Sequence, residues 1–172
     1  MEVTIRGARP DEVPAIMEVM REAQRAMHTP DWFLPDDDAY MAAHIDGPNG
    51  FCLVAERPDG SLAAYFTVKL AGTAPDALGR YLGMDEAALS VTAQMDSCCV
   101  RPACQGHSLQ GALLAAAEAR LKAEGRYKTL LATVHPENAA SLNTLLHRGY
   151  EIAAPAVQCY GDKIRHVMRK EW

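Results

Sequence analysis

Much is missing from this sequence, and each absence removes a class of protein. No apolar run among its 172 residues approaches the ~20 that a membrane-spanning helix needs. The opening Met1-Glu2-Val3-Thr4-Ile5-Arg6 lacks the basic flank and apolar stretch of a signal peptide, so a cytoplasmic location is expected. Zinc-ligand spacing is absent among the five scattered cysteines, Cys52, Cys98, Cys99, Cys104 and Cys159, and no two of the six histidines form a His-x-x-x-His pair. No metal is expected, and the thiols read as reduced and buried. Nor is there a lysine or arginine stripe of the kind that displaces counterions from nucleic acid; the formal net charge is −5. A cationic or small neutral partner is easier to reconcile with that balance. Internal repeats and low-complexity segments are also lacking. What is left, with 49% hydrophobic and 23% charged residues, is the composition of a soluble globular protein, at a length that suits one domain over residues 1–172.

The pattern along the chain alternates between two periods. Glu2 to Arg6 reads as a short strand. After Pro10-Asp11-Glu12, apolar residues at Val13, Ile16, Met17, Met20 and Met27 mark one face of a helix, with Pro14 in its first turn. Thr29 to Leu34 reads as a loop, and Pro35-Asp36-Asp37-Asp38 opens a second helix running to about Ile45. Phe51 to Glu56 and Leu62 to Leu70 read as strands joined by the turn Arg57-Pro58-Asp59-Gly60, a hairpin. Ala71 to Ala87 reads as an excursion containing a short helix.

Ser90 to Val100 is a further strand, on which Cys98 and Cys99 point to opposite faces. Leu109, Leu113, Ala116, Ala117 and Leu121 then stripe a helix that ends near Gly125. The continuous apolar run Thr129 to Val134 suits a strand buried on both faces. Asn138 is placed to cap a helix through Leu146, and two strands meet around Tyr160-Gly161-Asp162. This order gives a mixed α/β (α+β) domain.

One stretch carries chemistry. Val100 to Leu114 runs from strand through a glycine-containing turn into a helix N-terminus, which gathers unpaired N–H groups at the positive end of a helix dipole. Such a place suits a pyrophosphate. Gly106 permits close backbone approach and Ser108 adds a hydroxyl. No Gly-Lys-Ser or Gly-Lys-Thr follows, so this is not a P-loop, and the three-glycine dinucleotide spacing is missing. A glycine at this place also serves packing alone in many α/β proteins.

Val100-Arg101-Pro102-Ala103-Cys104-Gln105-Gly106-His107-Ser108-Leu109-Gln110 resembles the acetyl-CoA motif of the GCN5-related N-acetyltransferases (GNAT), in which Val-x-Pro precedes an Arg or Gln that opens a pyrophosphate loop. Asn138-Ala139-Ala140-Ser141 and Gly149-Tyr150 resemble the next motif of that family, and the order of elements matches over nearly the whole chain. The resemblance implies a mostly antiparallel central sheet of about 6–7 strands flanked by about 4–5 helices. It implies acetyl-CoA as co-substrate, with Cys98 and Val100 pairing with the pantetheine arm and the amides of Gln105, Gly106, His107, Ser108, Leu109 and Gln110 holding the pyrophosphate. Asn138 would hydrogen-bond the pantetheine side and Ser141 would line the channel. The acceptor amine, of a small molecule or peptide, would enter where strands splay apart around Cys99 and Thr133. Dimerisation is common in the family.

Two positions depart from the pattern. Glycine is usual at the places of Ser108 and Gln110, which helical angles would tolerate as other residues. The family's frequent tyrosine acid falls at Leu145, which cannot donate a proton. A thiolate with a pKa of about 8.5 departs without full protonation, so the loss is bearable; Tyr160 or His147 could serve instead, or could simply pack at a turn and cap a helix. Cys104 sits on the pyrophosphate turn and is no acyl nucleophile. An alkyl ammonium with a pKa of about 10 needs a base. Asp96, in an otherwise apolar strand, either draws that proton through water or anchors the cation, or else it is a strand-end carboxylate paired with an arginine. Trp32, Phe33, Tyr65, Tyr81 and Tyr160 are candidate walls of an acceptor cleft, and Arg165 could bind a carboxylate. The same features also suit a non-catalytic acyl-CoA-binding regulator, which Leu145 favours.

Overall fold

In a computed structural model covering residues 1–172, the apolar stripe after Pro10 folds as a helix, but the helix ends at Arg25 and leaves Met27 beyond it. Pro10–Glu12 makes a 3-10 turn and Val13–Arg25 forms α1, with Ile16, Met17, Val19, Met20 and Ala23 buried along one side. The second helix is shorter than the sequence suggested. Asp37 accepts the Tyr40 N–H and caps α2, Asp38–Ala43, so the acidic run is spent partly on entering the helix. Thr29 to Leu34, expected as a loop, contains a 3-10 turn at Pro30–Trp32. The excursion after residue 70 holds a 3-10 turn, Leu78–Leu82, and a short helix α3, Glu86–Ser90. The remaining helices are α4, Leu109–Glu124, and α5, Ala139–His147, the latter capped by Asn138 as its sequence indicated.

Eight strands form one sheet: β1 (Thr4–Gly7), β2 (Asp46–Gly47), β3 (Gly50–Glu56), β4 (Leu62–Lys69), β5 (Thr92–Val100), β6 (Thr129–Val134), β7 (Glu151–Cys159) and β8 (Lys163–Glu171). Their spatial order is β1-β3-β4-β5-β6-β8-β7, with β2 attached to β3. All neighbours are antiparallel except β5 and β6, whose crossover is α4. The expected mixed, mostly antiparallel architecture holds, with the two-residue β2 taking the strand count beyond the six or seven anticipated. No helix is long and apolar enough to cross a membrane.

Helices cover both faces. Leu113, Leu114, Ala117 and Leu121 of α4 share one apolar cluster with Phe51, Phe66, Met95 and Leu130 of the sheet. Ile16, Met20 and Met41 of α1 and α2 pack against Cys52, Val54, Tyr65 and Cys99 on the other side. Cys98 and Cys99 do point to opposite faces, since Cys98 lies against the first cluster and Cys99 within the second. All five cysteines are unpaired.

The β4–β5 ladder has one irregularity. Thr67 faces Ser97 but Val68 faces Met95, so Asp96 has no partner and forms a bulge. The bulge resets the alternation of β5: Ala93 and Met95 precede it on the α4 side, and Cys98 and Val100 follow it on that same side. The parallel pairing of β5 with β6 stops at Met95 and Ala132, immediately before the bulge. From there the two central strands diverge.

The β3–β4 hairpin behind this gap depends on a glycine. A Cβ at Gly50 would lie 2.0 Å from the Val68 carbonyl oxygen, a backbone atom that cannot swing aside. Gly50→Ala is therefore expected to cost about 3 kcal/mol of unfolding free energy, read from the urea midpoint at unchanged m-value. A loss below 0.5 kcal/mol, within the ordinary range for surface changes, would show that the strands separate easily.

Candidate active site

After β5 the chain is tied down on both sides before it turns. The Arg101 guanidinium donates from Nε to the Leu62 carbonyl at 2.6 Å and from Nη1 to Glu22 of α1. Pro102–Cys104 then makes a 3-10 turn with Cys104 buried in the core. Gly106 has φ 81° and Ser108 has φ 56°, both left-handed. The second value corrects the expectation of helical angles at Ser108. A side chain is carried there at a steric cost of about 1 kcal/mol that glycine would avoid.

Helix α4 begins at Leu109, and its first closing bond runs from the Ala112 N–H to the Ser108 carbonyl at 3.0 Å. No N–H from Gly106 to Gly111 donates to a main-chain carbonyl. The expected run began at Gln105, but that N–H is committed to the Pro102 carbonyl at 3.3 Å, so the unpaired stretch lies one residue further on. Consecutive unpaired donors on a left-handed turn, backed by a 16-residue helix, form an anion cradle.

A groove of about 930 Å³ leads from this cradle into the gap between β5 and β6. Cys98, Val100, Gln105, Gly106, Ser108 and Leu109 border it, as do Gln110, Asn138 and Ser141; the exposed His107 side chain does not. The Arg101 N–H donates to the Ala63 carbonyl of β4 at 2.9 Å. By the alternation of an antiparallel ladder, the Cys99 N–H also faces β4, while those of Cys98 and Val100 face the groove. Past Met95 no strand pairs with them there. Across the groove, Asn138 Oδ1 accepts the Ser141 N–H at 3.2 Å, and Gln110 Nε2 donates to Ser141 Oγ at 2.9 Å. Gln110 therefore uses its side chain to join α4 to α5. Leu145 is a buried apolar part of the groove wall. The exposed His147 returns its Nδ1 to the Asn143 carbonyl, which fits a helix cap.

A second cleft, of about 360 Å³, opens from the far side and shares Trp32, Phe33, Asp96, Ser97 and Thr133 with the groove. The bulge aims Asp96 at this junction, where the carboxylate accepts the Tyr40 hydroxyl at 2.6 Å. No arginine pairs with it. Burial raises its pKa, and the Tyr40 hydrogen bond opposes the rise. Asp36 accepts the Ser97 hydroxyl at 2.8 Å, and burial pushes its carboxyl up to about 6, against that hydrogen bond and with help from the Asp96 charge. Tyr160, at the β7–β8 turn with φ 50°, brings its hydroxyl within 3.2 Å of Thr133 Oγ1. Burial raises its pKa, so it stays a neutral donor near pH 7. Trp32 stacks on His135 at 5.6 Å at the border of the junction.

Of the expected aromatic walls, Trp32, Phe33 and Tyr160 border the cleft. Tyr65 does not, being fully buried between α1 and the sheet, and Tyr81 lies on the outer surface. Tyr40 and Asp36 were missed by sequence reasoning. The acidic run at 36–38 read as one helix start, yet only Asp37 caps, and Asp36 turns inward. Nothing in the sequence distinguished Tyr40 from an ordinary helix residue. No group of three or more His, Cys, Asp or Glu side chains is placed to hold a metal ion.

The sequence matches the profile of the Acetyltransferase (GNAT) family over residues 17–150. No curated protein sequence matches the chain significantly. Similar solved structures include a paia N-acetyltransferase from Thermoplasma acidophilum in complex with coenzyme A, at 16% identity and TM-score 0.70, covering 100% of both chains. A phosphinothricin acetyltransferase from Sinorhizobium meliloti in complex with acetyl-CoA has 18% identity and TM-score 0.70, over 99% of this chain and 89% of that one. A GCN5-related N-acetyltransferase from Kribbella flavida has 18% identity and TM-score 0.71, over 99% and 98%. At these identities the likeness is one of fold.

The Asp36 carboxyl gives a test that needs no ligand. Its folded pKa of about 6 exceeds an unfolded value of about 3.9, so the folded state holds the extra proton. The associated stability is present below about pH 4 and lost as pH rises through 6. Asp36→Asn keeps the shape and an acceptor oxygen for Ser97. Its Tm relative to the parent protein should be near zero difference at pH 4 and higher by a few degrees at pH 8. A difference independent of pH would mean that the carboxylate is not held in the environment described.

Proposed function

The chain belongs to the acetyltransferase (GNAT) family, and we propose that it transfers an acetyl group from acetyl-CoA to a primary amine of a small molecule or peptide by direct attack in a ternary complex. The observation that carries this reading is the continuity of one channel. Unpaired N–H groups at Gly106–Gly111 lie at one end and a carboxylate-bearing cleft at the other, and they meet where β5 and β6 part.

Acetyl-CoA, when bound, supplies an activated acetyl thioester. The residues fit that group. The N–H groups of Gly106–Gly111 and the α4 dipole answer a diphosphate, and the N–H groups of Cys98 and Val100 offer an unpaired strand edge to an amide-containing arm. Asn138, with its Oδ1 committed to the helix cap, keeps its amide donors for the arm. Donors fixed by the sheet cost no reorganisation when charge develops on an acyl oxygen.

Asp96 takes the proton of the incoming ammonium, directly or through one water. Burial makes it a stronger base than a surface carboxylate, and Tyr40 fixes its orientation. Tyr160 remains protonated and lies against Thr133 at the junction, so it can return a proton to a departing thiolate. A covalent acyl-enzyme is disfavoured. Cys98 borders the groove, but burial, and then the Cys99 thiol, drives its pKa far up, and Cys104, also at the groove wall, is almost wholly buried at the turn before α4.

Leu145 supports a second reading, a protein that binds acyl-CoA without turnover. Both readings require acetyl-CoA to raise Tm; only the first yields product. Incubation with a panel of amines and mass detection of acetylated product separates them. On the best acceptor, Asp96→Asn should lower kcat by about 10²–10³ with acetyl-CoA affinity retained. Unchanged kcat and KM would remove Asp96 from the reaction.

A further inference from the structure

Arg165 is the only arginine in the buried set, at 3% exposure, and it borders the second cleft. It lies on β8 opposite Val157. Its Nη1 donates to the Ile164 carbonyl at 2.8 Å and its Nη2 to the Asp31 carbonyl at 2.7 Å. Both acceptors are neutral. Other partly buried arginines are paired with acids: Arg6 with Glu12 and Glu56, Arg101 with Glu22, Arg148 with Glu118. The Asp31 carboxylate, next to Arg165 in space, is taken by Lys163 at 2.6 Å. A guanidinium has five N–H donors and only two are used here, while a buried cation without a counter-charge is costly. The fold carries that cost at the wall of a cavity, where a ligand can relieve it.

The other charges of the cleft decide what kind of ligand. Asp76 is neutralised by Lys69, and the exposed Asp37 is committed to the start of α2. That leaves Asp36 and Asp96, on the α2 and β5 side, as unmatched acids and Arg165, on the β8 side, as the unmatched base. An ammonium is attracted to the acids at the junction with the groove. A second ammonium on the same molecule would meet Arg165 and be repelled, whereas a carboxylate would pair with it in two parallel hydrogen bonds. A volume of about 360 Å³ is near the lower end for ligand sites and suits one small molecule.

We propose that the acceptor is a small amino acid, bound through its carboxylate by Arg165 while its amine lies at Asp96 and Asp36. This rests on the acetyl-transfer reading above and specifies its substrate class. A site built around a fixed cation rejects an analogue that leaves the cation unpaired.

The experiment compares free amino acids with their α-amides and with the matching amines that lack the carboxylate, using the 172-residue chain, acetyl-CoA and mass detection. The acid is expected to exceed both analogues in kcat/KM by on the order of 100-fold. Arg165→Gln should bring the ratio close to one through KM, and Arg165→Lys, which keeps the charge but not the fork, should preserve part of it. An analogue acetylated as well as the acid overturns the proposal while leaving acetyl transfer in place, and this comparison needs no variant to fold. A binding measurement separates the two claims further. Calorimetric titration of N-acetyl amino acids into the complex with CoA should give saturable binding that N-acetyl alkylamines lack and that Arg165→Gln abolishes. Equal binding of both probes overturns the assignment of Arg165 whatever the turnover.

Discussion

One backbone event governs the site: at Asp96, strand β5 gains an unpaired residue on its β4 side and loses its β6 partner on the other. The parallel pair is held together below this level by a continuous apolar core, with Ala93, Met95, Leu130 and Ala132 all buried. Above it the strands must part, because α4 and α5 start on opposite lips of the gap and each lip is anchored. Arg101 fixes one through Glu22 and the Leu62 carbonyl, and Asn138 caps the other. The bulge also keeps Cys98 and Val100 on the α4 face, so that the exposed edge of β5 and the unpaired turn before α4 open into one groove. A regular strand would have placed Ser97 there instead, and polar backbone would have met polar side chain without a channel.

The charges in the second cleft follow from the same geometry. Asp96 is the residue that the bulge leaves without a cross-strand partner, and it survives burial because Tyr40 donates to it. Ser97, the next residue, holds Asp36. Burial raises the pKa of both acids, and the Asp96 charge adds to the rise at Asp36, so this partly dry cleft attracts a cation. Arg165 borders the same cleft from β8, two strands away from β5. The cleft is therefore polarised across its width.

The sequence was most legible where one element dictated its own shape. The methionine stripe of α1, the Pro-Asp-Gly hairpin, the doubly buried β6 and the Asn138 cap could each be read from local pattern, because period and capping chemistry act over a few residues. The anion turn was legible from Gly106 and the helix that follows. Its register was not: whether Gln105 spends its N–H on Pro102 depends on a 3-10 turn that no residue there demands. Ser108 was misjudged because the usual glycine at its place was the one hint of a left-handed angle, and a serine itself carries none. Tyr40, Asp36 and the contrast between Tyr65 and Tyr160 could not be ranked, since each depends on which helix covers which face of the sheet. Asp96 was noticed as an acid in an apolar strand. Its hydroxyl partner comes from a helix 56 residues away in the chain.

In the proposed reaction the main-chain N–H groups of Gly106 to Gly111 grip the diphosphate of coenzyme A. Residue-resolved amide hydrogen exchange with and without saturating CoA tests it most directly. Exchange at Gly106 to Gly111, Cys98 and Val100 should slow by ten-fold or more on binding, with that of Cys99, already paired to β4, little changed. Bound CoA that leaves exchange at 106–111 as it was, or that slows it only at another surface, would contradict the account.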